Sequence, residues 1–411
     1  MGLDVGTTKV CAVIGERNEN GDLEITGVGL SPSTGLRKGV VVNIEATLRS
    51  VSQAIEAAEM RSGREVRACW TGIGGSHIEG ILSRGVVTVA GKTRSETREI
   101  GQDDINRVLG VARGIVIPLD RQILTVIPQS YIVDGQKGIR DPLDMIGMRL
   151  ESEVHIITCS STSAGNLVKC VNRAGFMVND LILQPLASGR AVLTEEERDM
   201  GVALVDLGGG TTDLLVYCDG SACFIATVPA GGAQVTSDIS ILNHISIENA
   251  EKIKLEAGCC WDGQLEDDAD VIVPGVGSRP PQAIPRSHIL AVIRPRMEEI
   301  FKMVKEHLDT LVLPRPLGGG LVLTGGGALL PGTVELAQEI FSLPVRTGFP
   351  LGVDGLSGEF ASPLYAAAIG LVLEGGDREL KGAERGETRS RDKGQADLFG
   401  KLKEWLSKEF F

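Results

Sequence analysis

The chain has 411 residues, 42% of them hydrophobic and 23% charged, with a formal net charge of −13. At about 150 residues per domain this gives two or three domains with real cores, and it excludes a chain disordered throughout. The negative balance argues against a nucleic-acid binder, which needs a basic face for phosphates, and no run of about 20 apolar residues is present to span a bilayer.

In chain order, Met1 runs straight into Gly2-Leu3-Asp4-Val5-Gly6, which reads as core strand and not as a signal peptide, so the start of the chain is expected to be trimmed. An apolar strand over Val10 to Gly15, a turn at Asn20-Gly21-Asp22 and a strand over Leu23 to Leu30 make a β-hairpin. Ile44 to Met60 has helical periodicity, and Trp70-Thr71-Gly72-Ile73-Gly74-Gly75 is a strand ending in glycine. Residues 79–158 then break the pattern; within them Gln102 to Ala112 reads as helix and Ile123 to Val133 as strand.

The pattern later returns. Val205-Asp206-Leu207-Gly208-Gly209-Gly210-Thr211-Thr212-Asp213 repeats Leu3-Asp4-Val5-Gly6-Thr7-Thr8-Lys9. Strands over Leu214 to Cys218 and Ala222 to Pro229 flank a turn at Asp219-Gly220, a helical period covers Gln234 to Ile245, and Leu321 to Gly327 again ends in glycine. The second copy has no equivalent of the insertion between its hairpin and helix. Two copies of one mixed α/β unit are expected to face each other across a cleft, a natural ligand site.

From Glu374 to Ala396 charged residues and glycine dominate, with one leucine, Leu380, which reads as a flexible linker. Beyond it Leu398, Phe399, Leu402, Trp405, Leu406 and Phe410 recur at helical spacing. So short a helix is marginal in water, and a polar leash ending in a Trp/Phe/Leu face reads as an interfacial membrane anchor. Its lysines balance its acids, so it is expected to hold by apolar insertion. The eight cysteines and five histidines show no zinc spacing, and the cysteines are expected to be buried reduced thiols.

The glycine turns carry the chemistry. A hairpin tip with Gly and Thr aims backbone N–H groups and hydroxyls at one spot, and lets a phosphate approach the backbone. An aspartate in each tip cannot touch phosphate without repulsion, but it can hold Mg²⁺ through water. There is no G-x-x-x-x-G-K-[ST] loop and no convincing dinucleotide fingerprint.

Five motifs in order resemble those of the actin, Hsp70 and sugar-kinase ATPase superfamily: Asp4 to Lys9, Leu183 to Gly189, Asp206 to Asp213, Leu323 to Ala328 and Pro363 to Gly370. Val126 to Tyr131, Val154 to Cys159, Val235 to Ile239, Pro274 to Pro281 and Lys401 to Phe410 narrow the resemblance to the FtsA family of bacterial cell-division proteins, over essentially the whole chain. The resemblance implies an α/β, actin-like fold: subdomain 1A (1–78 and 159–190), an SHS2-like 1C in place of actin's 1B (79–158), 2A (191–240 and 314–373), 2B (241–313), linker (374–396) and amphipathic helix (397–411).

It also implies roles. Gly6, Thr7, Thr8 and Lys9 would hold the phosphates of ATP from one side, and Gly208, Gly209, Gly210, Thr211 and Thr212 from the other. Asp4, Asp206 and Asp213 would hold Mg²⁺ through water, with Asp206 and Gln184 nearest the chemistry. Gln184 would orient the attacking water; glutamine is a poor base, so hydrolysis is expected to be slow at most. Glu251, Lys254, Gly325, Gly326 and Gly327 would meet the adenosine, and Arg286, Arg294 and Arg296 the C-terminal peptide of FtsZ. The implied function is an ATP-binding, polymerising adaptor that ties FtsZ filaments to the cytoplasmic side of the inner membrane at the septum. Other division proteins would be met through 1C. A metabolic kinase of the superfamily would need a substrate acid in the cleft and gives no reason for the tail. A chaperone would need a domain of its own after residue 373. A pilus-assembly relative fits the tail and the Arg279-Pro280-Pro281 loop less well.

Overall fold

The computed structural model describes residues 1–18, 22–89, 97–265, 268–275, 280–313, 315–356, 358 and 360–384. The chain opens with β1 (Gly2–Val5), β2 (Lys9–Arg17) and β3 (Leu23–Pro32). Next come the short pair β4 (Leu36–Arg37) and β5 (Val40–Val41), α1 (Ile44–Ser62) and β6 (Ala68–Ile73). The insertion contains β7 (Glu79–Thr88), β8 (Arg98–Glu99), α2 (Gln102–Arg113), β9 (Arg121–Val133), β10 (Gln136–Ile139), β11 (Ile146–Gly147) and β12 (Arg149–Ser160). The chain returns through α3 (Ser161–Arg173) and β13 (Met177–Leu183), and crosses over in α4 (Gln184–Val192).

The second half starts with α5 (Glu195–Met200), β14 (Val202–Leu207), β15 (Thr212–Cys218) and β16 (Ser221–Val228). It continues with α6 (Gly232–Asn243), α7 (Ile247–Ala257), β17 (Asp270–Val273), β18 (Gln282–Pro285) and α8 (Arg286–Asp309). It closes with β19 (Leu321–Thr324), α9 (Thr333–Phe341), β20 (Val345–Thr347) and α10 (Ala366–Glu384).

The duplication is literal. One sheet runs β3-β2-β1-β6-β13 and the other β16-β15-β14-β19-β20. In each, the first strand pairs antiparallel with its hairpin partner and parallel with the glycine-ended strand. Strand alternation then decides the layers. Leu3 and Val5 pack under α1 and α3 in one core, while Val205 and Leu207 pack with α6, α8 and α9 in another. Asp4 and Asp206 are the alternate residues, on the opposite faces, toward the cleft.

The last helix of each half, α4 in the first and α10 in the second, is exchanged between the halves. The C-terminal part of α4 lies on the second sheet, with Ala191, Val192 and Leu193 packed beside Leu204 and Leu215. Helix α10 follows the second sheet but packs on β1, β2 and β6 of the first, and against α4. Residues 366–373 therefore sit with the first half and not with 2A as the sequence had them.

The insertion enters after β6, at the residues expected. Its sheet, β10-β9-β12-β7, carries α2 on one face and leans on β16 of the other half, where Gln129 Nε2 donates to the Ala222 carbonyl at 2.8 Å. One other expectation needs correcting. The expected linker starts later, because α10 runs on to Glu384. Its polar residues are engaged: Arg378 bonds Glu374 (2.9 Å) and Asp180 (2.7 Å) and lies over Trp70, and Arg190 bonds Asp377 (3.0 Å). Composition suggested a leash because such a helix buries only one narrow face. Of the remaining linker and the whole expected anchor, residues 385–411, nothing lies within the described residues. Among the described residues no helix is long and apolar enough to cross a membrane.

Cys218 and Cys223 lie against each other across the Asp219-Gly220 turn, and the other six cysteines are free and buried.

The insertion has an internal electrostatic clasp. Asp104 is 2% exposed, yet it accepts from Arg98 at 2.8 Å and from the Gly101 N–H at 3.1 Å, with Arg107 joining. The Arg98 hydrogen bond first, against the cost of burial, and then the Gly101 N–H hold its carboxyl below the usual range. A depressed folded pKa contributes stability above the unfolded value of about 3.9, lost as pH falls below it. Asp104→Asn is expected to cost about 1–2 kcal/mol at pH 7, the low side for a charged hydrogen bond because the guanidinium partners are half exposed. Thermal unfolding from pH 7 to pH 3 should show the gap between wild type and variant narrowing once the pH falls below about 3.9; a gap as wide at pH 3 as at pH 7 would refute the clasp.

Candidate functional site

The two hairpin tips meet across a cleft of about 370 Å³. Gly6 to Lys9 line one side and Gly208 to Thr211 the other. They approach so closely that a Cβ on Gly209 would sit 2.3 Å from the Thr8 side chain, and one on Gly210 2.5 Å from Thr7 Oγ1. Glycine at 209 and 210 lets the two tips close on each other with no side chain of the second tip between them. Thr212, expected among them, does not line the cleft. It is already in strand β15, where alternation turns it inward, and its hydroxyl donates to the Ala230 carbonyl at 2.8 Å.

Three carboxylates stand at the base, each with its own partner. Asp4 accepts from Lys9 Nζ at 3.3 Å and from Gln184 Nε2 at 2.5 Å. Asp206 accepts from Ser188 Oγ at 2.6 Å, and Asp213 from Thr227 Oγ1 at 2.5 Å. Burial pushes the Asp206 carboxyl up, the Ser188 hydrogen bond lowers it, and Asp4 raises it again. Burial, opposed by the Thr227 hydrogen bond and helped by Asp206 and Asp4, pushes Asp213 up to about 7. Burial opposes the charge on Lys9, but Asp4 keeps its ammonium above the ordinary value. A site that strains to hold its carboxylates ionised is suited to a cation. Among the described residues no three His, Cys, Asp or Glu converge as direct ligands.

Gln184 opens α4, with Pro185 beside it in the first turn. Its amide fits against β6: a Cβ on Gly74 would lie 2.1 Å from Oε1. The glycine end of β6 thus makes room for this side chain. With Nε2 given to Asp4, Oε1 is left to accept from a water.

The far end of the cleft is apolar, formed by Met297 and Ile300 of α8, Leu329, Leu330, Pro331 and Leu364. Gly325, Gly326 and Gly327 line it, as expected. Glu251 and Lys254 also line it, on one face of α7. They bond each other at 2.7 Å, and Lys254 reaches Thr236 Oγ1 of α6 at 2.9 Å. The sequence reading missed Gly231 and Gly232 at the start of α6, which carry the cleft lining from Gly208 to Val235. The N–H groups of Gly232 and Ala233 donate to the Gly208 and Gly209 carbonyls at 3.0 and 2.8 Å, which ties the start of α6 to the second tip.

The three arginines do not make a joint basic patch. Arg286 is held by the Ala257 (2.8 Å) and Gln264 (3.1 Å) carbonyls. Arg294 lies over Trp261 and pairs with Glu298, Glu339 and Asp262. Arg296 pairs with Asp238 and Glu299. Positions 294 and 296 are two apart on α8, which turns them to different sides. The charges of Arg294 and Arg296 are matched by carboxylates within the chain, while Arg286 is held by backbone carbonyls, so the three do not act as one basic cluster.

Comparison with known proteins points to one family. The family model for cell division protein FtsA matches residues 203–370, and that for the SHS2 domain inserted in FtsA matches 75–158. The chain is 46% identical to cell division protein FtsA of Borreliella burgdorferi over 412 residues, covering 100% of this chain and 98% of that one. It is 40% identical to the protein of the same name in Pseudomonas aeruginosa, with the same coverage. Among solved structures, it resembles the PilM-PilN type IV pilus biogenesis complex with a TM-score of 0.63 at 18% identity, over 91% of this chain and 97% of that one. It also resembles MreB 5 of Spiroplasma citri bound to AMPPNP, with a TM-score of 0.55 at 15% identity over 93% and 97%. At these identities the structural matches speak for the actin-like fold alone.

Proposed function

Because the chain belongs to the FtsA family of cell division proteins, we propose that it binds ATP with Mg²⁺ in the cleft, assembles into filaments on the cytoplasmic face of the inner membrane, and ties FtsZ filaments to that membrane at the septum. The observation that carries the reading is the pair of facing tips, Gly209 against Thr8 and Gly210 against Thr7, above three partnered carboxylates. Facing N–H groups suit a triphosphate, the carboxylates suit the waters of a magnesium ion, and the apolar end suits an adenine.

Magnesium would neutralise phosphate charge when bound. The chain's own part is positioning: Thr7, Thr8 and Lys9 hold phosphate oxygens, and Gln184 Oε1 orients a water. A glutamine cannot take up a proton usefully, so hydrolysis is expected to be slow at most. The FtsZ peptide docks on the subdomain of residues 241–313, which exposes Ile241, Leu242, Ile247 and Ile272, and not on the matched arginines. Further division proteins would meet the insertion. Filament contacts repeat head to tail, and assembly multiplies weak anchors into firm attachment.

The anchor is residues 397–411, through Leu398, Phe399, Leu402, Trp405, Leu406 and Phe410. Burying a large apolar side chain is worth about 1.5–3 kcal/mol, so each loss should weaken lipid partitioning about tenfold or more. Vesicle flotation with ATP and Mg²⁺ tests the whole reading. Wild type should float at low and moderate salt, and Trp405→Glu should stay at the bottom with its ATP affinity intact by calorimetry. Flotation of Trp405→Glu like wild type would refute the anchor, and failure of wild type to bind ATP would refute the cleft.

A further inference from the structure

One helix holds the acids of both halves. Gln184, the first residue of α4, donates to Asp4 of β1, and Ser188 donates to Asp206 of β14. Residues four apart on a helix share a face. Successive turns of α4 therefore touch one carboxylate from each copy of the duplicated unit. Ser188 is 0% exposed, so its hydroxyl faces the carboxylate in a dry setting where such a bond counts for most.

The helix is also fixed from behind. At Ala187, the residue between these two prongs, the carbonyl oxygen lies so near α10 that a Cβ on Gly370 would be 1.8 Å from it. Backbone touches backbone there, so α4 cannot tilt without moving α10 or the acids. The Ser188 proton goes to Asp206 Oδ2. That leaves the other carboxylate oxygen for the waters of a cation.

We propose that Ser188 is a positioning residue: it fixes the Asp206 carboxylate in register with the Gln184–Asp4 pair, so that the cleft selects the magnesium form of its nucleotide. This rests on reading the cleft as a magnesium–ATP site. Ser188 touches neither nucleotide nor metal in this account; it acts through Asp206 alone. Its removal leaves a buried carboxylate without a donor, free to take a rotamer that no longer presents an oxygen to the metal's waters.

The test compares ATP affinity by calorimetry in Mg²⁺ and in EDTA, for the full chain, Ser188→Ala and Ser188→Cys. The cysteine has nearly the shape of serine but is a poor donor. Both variants are expected to lose about tenfold or more of the tightening that Mg²⁺ gives, while affinity in EDTA stays at the wild-type value. A wild-type magnesium effect in either variant overturns the proposal. So does an equal loss in Mg²⁺ and EDTA, which would mean that Ser188 only packs. If the unaltered chain binds no ATP in either condition, the reading of the cleft falls, and this proposal with it.

Discussion

Asp206→Ala is expected to weaken magnesium–ATP binding by about 10–100-fold, the usual cost of removing a group that orders a metal through its outer shell. The sign should reverse without the metal. Asp206 places a negative charge where a triphosphate would lie, beside Asp4 and Asp213, so its removal in EDTA should leave metal-free ATP bound no worse, or more tightly. Calorimetry in both conditions decides it. Equal affinity for magnesium–ATP in wild type and variant would mean that the three carboxylates do not serve a metal. The variant should fold, because the acid is held by a single side-chain hydrogen bond, from Ser188, and its own pKa is raised by burial first, which makes it a costly charge to keep.

Gly370→Val should produce the largest loss of stability. The added Cβ would fall 1.8 Å from the Ala187 oxygen and 2.4 Å from its carbonyl carbon, both backbone atoms that cannot swing aside. Overpacking costs about 1–3 kcal/mol where side chains can adjust, and here the upper end or beyond is expected because two helices must part. Differential scanning fluorimetry should show a marked drop in the unfolding temperature, and ATP affinity should fall too, since α4 carries Gln184 and Ser188. A variant that melts with wild type would place the helices farther apart than described.

Much of this site was legible because its chemistry is local. Gly-Thr tips, their aspartates and the glycine-ended strands are short segments whose residue types are dictated by what the backbone must do there, and duplication made each a check on the other. Ser188 and Thr212 were not legible in this way. Whether a threonine in such a tip faces the ligand or the core depends on where strand pairing begins, a single-residue matter of register. Ser188 looks like any small residue on a packed helix, and only the approach of Asp206 from 18 positions away gives it a partner. Arg294 and Arg296 misled for the same reason. Close in sequence, they turn to different sides of α8, where Asp262, Asp238 and neighbouring glutamates meet them. The docking of the insertion on β16 lay beyond any pattern, since it depends on contacts between segments far apart along the chain.

The exchange of α4 and α10 bears on how the molecule can be assembled. A fragment ending after Val192 would carry α4 but not the helix that covers β1, β2 and β6. A fragment starting at Glu195 would carry α10 but lack the helix lying on β14 and β15. Each piece alone would present a bare apolar sheet face, and each holds the lid the other needs. Expressed separately they should aggregate; expressed together they should recognise one another as two subunits of an obligate pair, reconstituting the cleft without a covalent link. The ribosome delivers the first half well before its covering helix exists, so that sheet must wait, half-clad, for the last described helix of the chain to emerge.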